Sequence, residues 1–435
     1  MNPKDKQILQ IALPSIVSNI TVPLLGLIDV AIVGHLGSPA YIGAIAVGGM
    51  LFNIIYWIFG FLRMGTSGMT SQAYGKRDLT EIVRLLLRST GIGLSIACCL
   101  IILQIPIRQA AFTLIQPTEE IRELATQYFQ ICIWGAPAML GLYGLTGWYI
   151  GMQNSRIPMY IAITQNIVNI IASLSLVYLC GMKVEGVAWG TLIAQYAGFF
   201  MGVALWYYQY GKFKKLMTWK GVLQKEAMYR FFQVNRDIFF RTLCLVAVTL
   251  FFTSAGASQG EIILAVNTLL MQLFTLFSYV MDGFAYAGEA LSGRYIGARN
   301  REVFINITRH LFVWGAIMVI LFTMIYAVGG NAFLGLLTND KEVITAADTY
   351  FYWALAIPAA GMAAFIWDGI FIGATATQAM LLSMLVAAAS FFILYYGLRT
   401  MLGNHALWLA FLTYLFMRGV VQTGLSREVI RKAFG

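Results

Sequence analysis

Long apolar segments separated by short polar ones recur along the whole chain of 435 residues. An α-helix needs about 20 apolar residues to cross the hydrocarbon core of a bilayer, and each of these segments has roughly that length or more. The pattern predicts twelve spans, at 10–34, 43–68, 84–107, 122–150, 157–181, 186–209, 234–256, 262–288, 306–328, 346–373, 378–401 and 405–424. The intervening segments leave almost no room for a soluble domain. The predicted fold is therefore an all-α integral membrane protein.

The composition supports this fold class. Hydrophobic residues make up 59% of the chain and charged residues 11%, whereas about a quarter of the residues are charged in ordinary soluble domains. A soluble protein of this size with so few charges would not cover its surface with polar groups.

The net charge of +10 reflects membrane topology. Lys and Arg cluster in alternate loops, as in residues 76–88, 212–230 and 294–309, while the intervening loops carry few bases and two acid-rich stretches. By the positive-inside rule, both termini are cytoplasmic, and an even number of spans agrees with this orientation. The charge therefore predicts contact with a lipid bilayer and does not indicate nucleic acid as a partner.

The chain also contains an internal repeat with an offset of about 222 residues. Residues 73–78 (AYGKRD) match residues 295–300 (YIGARN), and residues 120–129 match residues 342–351. Each repeat has six spans, so both repeats enter the membrane with the same orientation. This arrangement of parallel repeats predicts two pseudo-symmetric six-helix lobes with a central chamber between them.

The repeat sets the predicted domain boundaries. The N-terminal lobe covers residues 1–209 and the C-terminal lobe residues 231–435. The basic stretch 210–230 is predicted to be a cytoplasmic linker at the inner membrane surface.

Asp29 is the leading candidate for chemistry, because it lies in an apolar span with no basic residue of its own. A carboxylate inside a membrane helix costs about 2.5–3.5 kcal/mol on insertion scales, so such a group usually has a role. It titrates, binds a cation or pairs with a base. Pro14 lies fifteen residues earlier in the same span, where it permits a helix kink.

The fifth and sixth spans offer polar partners for this acid. Asn166 and Asn169 are three residues apart and so share a helix face, and Thr191 opens the sixth span. Asp29, Asn169 and Thr191 could together form an oxygen site for a proton or a small cation. The alternative is that these polar residues only hold helices together.

The second half has a different set of charges. Asp237 and Arg241 open the seventh span, and Asp282 and Asp368 lie in the eighth and tenth. Because acids and bases are both available, the favoured interpretation is a buried ion-pair network between helices, ahead of a direct role in transport. Removing one partner of such a pair commonly costs about 3–5 kcal/mol.

No pattern typical of an enzyme is present. The five cysteines fall within spans without metal-ligand spacing, and the three histidines are dispersed. The chain has no HExxH and no GxSxG motif. We therefore predict no catalytic residues, no metal site and no organic cofactor.

Four segments resemble the multidrug and toxic compound extrusion family, and more specifically its branch named for the DNA-damage-inducible F protein. They are residues 27–37, 235–242, 281–298 and 367–377. The resemblance implies twelve helices in two six-helix lobes in the bacterial inner membrane. It also implies export of organic, often cationic, compounds in exchange for inward flow of H⁺ or Na⁺.

The same resemblance implies roles for individual residues. Asp29 matches the acid associated with coupling, and Pro14 the proline where the first helix is proposed to bend. Asn169 and Thr191 match the family's cation-site positions. Ser173 stands where many relatives have a second acid, and this departure favours H⁺ over Na⁺. The predicted protein is a monomeric, proton-coupled antiporter for organic cations or amphipathic drugs.

Two alternatives remain open at this stage. The first is export of the same compounds coupled to Na⁺. The second is a flippase for lipids or lipid-linked precursors, since distant relatives with a similar helical plan do that work. A flippase of this kind needs a strongly basic central cavity, whereas the intramembrane arginines of this chain are scattered or have acids available.

Overall fold

The computed structural model describes residues 1–435 and is almost entirely helical. Its α-helices are α1 (Pro3–Gly34), α2 (Pro39–Ile58), α3 (Phe61–Lys76), α4 (Leu79–Ile102), α5 (Gln104–Ile115), α6 (Glu119–Cys132), α7 (Ala136–Gly151), α8 (Arg156–Leu174), α9 (Val184–Tyr210), α10 (Lys225–Ala257), α11 (Glu261–Gly297), α12 (Arg301–Leu337), α13 (Lys341–Gly373), α14 (Thr377–Leu402) and α15 (Asn404–Phe434).

Twelve helical segments are long and apolar enough to cross a membrane, which confirms the predicted number. Two of them are broken: α2 and α3 together make one span, and α6 and α7 make another. Most of the helices also extend beyond the predicted limits. The eighth span, for example, reaches Gly297 because its last turns are helical although they carry polar residues.

Contacts divide the chain into two compact units. The N-terminal unit comprises Val17–Phe232, and the C-terminal unit comprises Met1–Ile16 together with Gln233–Gly435. Helix α1 therefore contributes its first turns to one unit and the rest to the other. The predicted lobes differ from these units in residues 1–16, which the sequence-based division placed in the N-terminal lobe.

Specific contacts explain why the start of α1 belongs to the C-terminal unit. Asp5 accepts hydrogen bonds from Trp314 Nε1 at 3.1 Å and contacts His310 Nδ1 at 2.7 Å. The hydroxyl of Tyr295 donates to Gln7 at 2.8 Å. Gly283 of α11 lies directly against the turn of α1 that ends at residue 16, and a Cβ there would collide with it.

The backbone repeats itself between the two halves. Helices α1 and α10, α2 and α11, α4 and α12, and α6 and α13 each begin 222 residues apart. Left-handed residues recur at the same offset: Arg77 and Arg299 both have a φ of 57°, and Gln153 with Thr375 form a second pair. L-residues rarely adopt this conformation, so the paired occurrences mark equivalent helix ends.

Close helix packing repeats as well. Gly147 of α7 lies against the backbone of Arg63 in α3, and Gly369 of α13 lies against the backbone of Ala285 in α11. A side chain at either glycine would overlap main-chain atoms. The two packed helix pairs are therefore built in the same way.

The connector, residues 211–224, packs on the N-terminal unit. Arg88 of α4 is buried and donates from Nε to the carbonyl of Val222 at 3.0 Å. Val222 is fully buried, and Phe213 is also buried. The lysines of this stretch are thus carried on a segment with two fixed points.

Candidate ion-coupling site

Asp29 lies near the end of α1 and is 4% exposed. Each oxygen of its carboxylate accepts one hydrogen bond. Asn169 Nδ2 of α8 donates to Oδ1 at 3.0 Å, and Thr191 Oγ1 of α9 donates to Oδ2 at 2.9 Å. The structure thus brings together the three residues that the sequence analysis grouped.

Ser173 fixes the orientation of this site. Its hydroxyl donates to Asn169 Oδ1 at 3.2 Å, so the amide of Asn169 presents its nitrogen to Asp29. Ser173 and Asn169 are both fully buried. The serine that replaces a second acid therefore acts on the carboxylate through the asparagine.

Gly190 is a site residue that the sequence analysis missed. A Cβ at this position would collide with the hydroxyl and the backbone of Ser173. Only glycine lets α9 approach α8 closely enough here, and Thr191 follows it directly. The sequence signal would have been a glycine next to a predicted ligand, but one sequence contains many glycines without such a role.

A π-helical turn, Ser175–Leu179, follows α8 directly after the site. Such wide turns occur mostly as single insertions and are frequent at functional sites. The apolar pattern of the fifth span gave no sign of it.

Asp29 has no basic partner. The ion pairs of the structure involve other acids, and no group of three His, Cys, Asp or Glu residues suits a metal ion. The carboxylate is thus balanced only by neutral hydrogen-bond donors. Such a group can take up and release a proton, or hold a small cation, without first breaking a salt bridge.

The equivalent positions of the C-terminal unit are aromatic. Adding 222 to Asp29, Asn169 and Ser173 gives Phe251, Phe391 and Tyr395. These rings touch: Phe251 lies 5.8 Å from Phe391 and 5.3 Å from Tyr395 between ring centroids. The polar site therefore occurs once, and an aromatic cluster occupies its place in the other repeat.

Asp368 of α13 has a very different environment. One of its oxygens accepts from Arg241 at 2.6 Å and from Arg418 at 2.5 Å, and the other accepts from Gln422 at 2.5 Å. All four side chains are buried. This carboxylate joins α10, α13 and α15 and is fully occupied by its partners.

Gln422 was not predicted as a member of this cluster. Arg418 and Gln422 lie four residues apart on α15 and so share a face. That spacing, close to an intramembrane arginine, is the signal that was available in the sequence.

The remaining predicted residues lie apart from Asp368. Asp237 is buried and contacts its neighbour Arg236 at 3.2 Å, and it accepts from Thr377 Oγ1 at 3.0 Å. Asp282 lies half-buried on α11. Pro14 lies inside α1, which is helical without interruption from Pro3 to Gly34, so bending at this proline stays a prediction.

Twelve membrane helices in two repeated units, with an unpaired carboxylate buried in the first of them, define a membrane transporter. The family model for MatE matches residues 14–174 and 238–396, and the chain belongs to this family of multidrug and toxin extrusion transporters. The resemblance inferred from the sequence is thereby confirmed.

Two curated relatives illustrate the family. The chain is 38% identical over 428 residues to the DNA damage-inducible protein F of Escherichia coli (strain K12), covering 98% of this chain and 92% of that protein. It is 22% identical over 339 residues to multidrug and toxin extrusion protein 2 of Mus musculus, covering 76% of this chain and 58% of the mouse protein.

Solved structures show the same fold. The bent form of the Vibrio cholerae MATE transporter VcmN matches with a TM-score of 0.87 at 16% identity, covering 99% of this chain and 98% of that one. A MOP superfamily transporter from Pyrococcus furiosus matches with a TM-score of 0.85 at 18% identity, covering 100% and 97%.

Proposed function

We propose that this protein is a secondary active antiporter that exports organic, mostly cationic, compounds in exchange for H⁺ that binds at Asp29. The observation that carries the proposal is the buried carboxylate of α1, which is held by Asn169 and Thr191 and has no basic partner.

The orientation of the donors supports H⁺ as the coupling ion. Asn169 turns its amide nitrogen towards Asp29, and a nitrogen that donates is not a ligand for a cation. Ser173 contributes no second negative charge. The site therefore suits a single carboxyl group that exchanges one proton.

Protonation would change how α1 is held. An ionised carboxylate accepts from both Asn169 and Thr191, whereas a protonated one has lost part of its acceptor capacity. The contacts of α1 with α8 and α9 therefore differ between the two states. Because binding of two ligands is reciprocally coupled, a proton that favours one arrangement of α1 also changes the affinity for the exported compound.

The C-terminal unit offers no equivalent site in this proposal. Asp368 is held by two arginines and a glutamine, and the positions equivalent to Asp29 and Asn169 are phenylalanines. The proposed role of Asp368, as of Asp237, is to stabilise helix contacts. The same pairing of Arg241 and Arg418 leaves them poorly suited to a pyrophosphate, which argues against the flippase alternative.

Coupling to Na⁺ is the second candidate, and one observation favours it. Asp29, Asn169, Ser173 and Thr191 all carry side-chain oxygens within one hydrogen-bonded group. A rotation of the Asn169 amide would turn an oxygen towards Asp29. Na⁺ would use the same carboxylate, so the two candidates differ only in the driving gradient.

The topology belongs to the same proposal. Both termini are placed in the cytoplasm, in the inner membrane of a bacterium, because the basic loops alternate along the chain. The protein is proposed to work as a monomer, with the organic compound and the surrounding lipid as its partners.

The test is accumulation of ethidium by everted membrane vesicles, driven either by a pH gradient or by a Na⁺ gradient. Wild type is compared with Asp29→Asn, and Asp348→Asn serves as the control because it makes the same chemical change at an exposed site. We expect the pH gradient alone to drive wild type and the control, and Asp29→Asn to be folded but inactive. Normal transport by Asp29→Asn would refute the assignment of this site.

A further inference from the structure

A second amide of α8 holds α1 away from the carboxylate. Asn166 is 8% exposed, and its Nδ2 donates to the backbone carbonyl of Thr21 in α1 at 3.0 Å. It also donates to Ala162 of its own helix at 3.0 Å. Since Asn166 and Asn169 share one face of α8, this helix holds α1 at two heights, at Thr21 and at Asp29.

The contact falls where α1 is least rigid. Pro23 follows Thr21 by two residues and removes one intrahelical hydrogen bond, since proline has no N–H. The opposite face of this part of α1 offers little support, because Val22 is 54% and Leu27 64% exposed. The hydroxyl of Thr21 turns back to Val17 in its own helix. What Asn166 binds is therefore the backbone itself.

The repeat gives independent support. The positions 222 residues after Thr21, Pro23 and Asn166 are Leu243, Leu245 and Ala388. The amide, the proline and the carboxylate thus occur together in one half of the chain, and none of them occurs in the other. A contact needed only for helix packing would have no reason to follow the carboxylate in this way.

We propose that Asn166 is a positioning residue for coupling: it anchors the middle of α1 to α8, so that a change at Asp29 is transmitted along α1 from a fixed point. This inference rests on the proposed function of Asp29. The segment around Thr21 stays on α8 in both protonation states, and the movement that follows proton uptake is confined to the parts of α1 on either side of it.

The experiment measures distances between two spin labels by double electron–electron resonance. One label is placed at Val22 on α1 and the other at Tyr160 on α8, both of which are exposed, after replacement of the five native cysteines. Distances are recorded at pH 8 and pH 5. Wild type is compared with Asn166→Leu, which keeps the volume and removes the donor, and with Asn166→Thr, whose hydroxyl is too short to reach Thr21.

Gln165→Leu is the matched control, since Gln165 is a buried amide of the same helix that points towards Gly198 of α9. In wild type and control we expect one distance that does not change with pH. In both Asn166 variants we expect a broader distribution that shifts on acidification. Loss of one hydrogen bond is also expected to lower transport driven by a pH gradient about five- to tenfold, with ethidium affinity and thermal stability retained.

Two outcomes would overturn the anchor. One is a distance in the Asn166 variants that matches wild type at both pH values, and the other is a wild-type segment that already leaves α8 on acidification. Either result leaves the role of Asp29 intact, because that role is judged by transport in Asp29→Asn. If Asn166→Leu does not fold, Asn166→Thr decides.

Discussion

At the scale of single residues, the site is a carboxylate whose state is read by neutral neighbours. Thr191 is the simplest of these to remove, because its hydroxyl donates to Asp29 Oδ2 and valine has nearly the same shape. Gly190 and Ser173 show that the support behind this contact is also specific.

Thr191→Val is expected to move the pH dependence of transport. A hydrogen bond to a charged group contributes about 1.5–3 kcal/mol, and its loss disfavours the ionised carboxylate. The proton is then released at higher pH, so the pH of half-maximal transport should rise by about one unit or more. The measurement is ethidium transport across a pH series, with Thr345→Val as the exposed control. An unchanged profile would contradict the role of Thr191.

Much of this site could be predicted from residue types. An acid within an apolar span is unusual enough to be recognised, and the amides of α8 share a face by simple periodicity. Which groups touch could not be derived, since the bonds to Asp29 join residues 140 and 162 positions away. The glycine at 190 and the amide–backbone bond of Asn166 depend on helix separations that no local pattern encodes.

At the scale of helices, buried polar contacts determine which elements remain together. Asp368 joins α10, α13 and α15, and Arg88 fixes the connector to α4. Both are single contacts between segments that lie far apart in the chain. Each should therefore have a measurable structural effect of its own.

Asp368→Asn is expected to destabilise the fold and to leave the ion dependence of transport unchanged. The change leaves Arg241 and Arg418 buried without a counter-charge, which commonly costs about 3–5 kcal/mol. Thermal unfolding in detergent should show a clear drop relative to Asp348→Asn. A stable Asp368→Asn variant with an altered pH profile would instead place coupling in the C-terminal unit.

Arg88→Met is expected to release the connector. Without the bond to Val222, the lysines at 212, 214, 215 and 220 should become more accessible to trypsin. Limited proteolysis would then yield two large fragments much sooner than in wild type. Arg427→Met is the control, because that arginine is exposed. Equal cleavage rates in the variant, the control and wild type would mean that Val222 and Phe213 hold the connector without Arg88.

Helix boundaries were predictable only in part. Apolar length defined all twelve spans, since a membrane requires it. The breaks between α2 and α3 and between α6 and α7 fall within continuous apolar runs, where hydropathy does not change. The short helix α5 lies between spans and has no membrane-spanning length to identify it.

At the scale of the whole molecule, duplication has produced two units with one backbone plan and different interiors. Helix starts and left-handed residues recur 222 positions apart, and the repeat was already visible in the sequence. The assignment of residues 1–16 to the C-terminal unit was not, because α1 is one uninterrupted helix and only its contacts reveal where its first turns belong.

The single carboxylate has an electrical consequence. If one proton enters for each monovalent cation that leaves, the exchange moves no net charge, so membrane voltage neither drives nor opposes it. We expect ethidium export by proteoliposomes to respond to a pH difference and to remain unchanged under an imposed potassium diffusion potential of either sign. One uncompensated charge would be worth about 2.3 kcal/mol per 100 mV, or roughly a fiftyfold change in the final gradient. A dicationic compound should show that sensitivity, because its export through the same site carries one charge out of the cell.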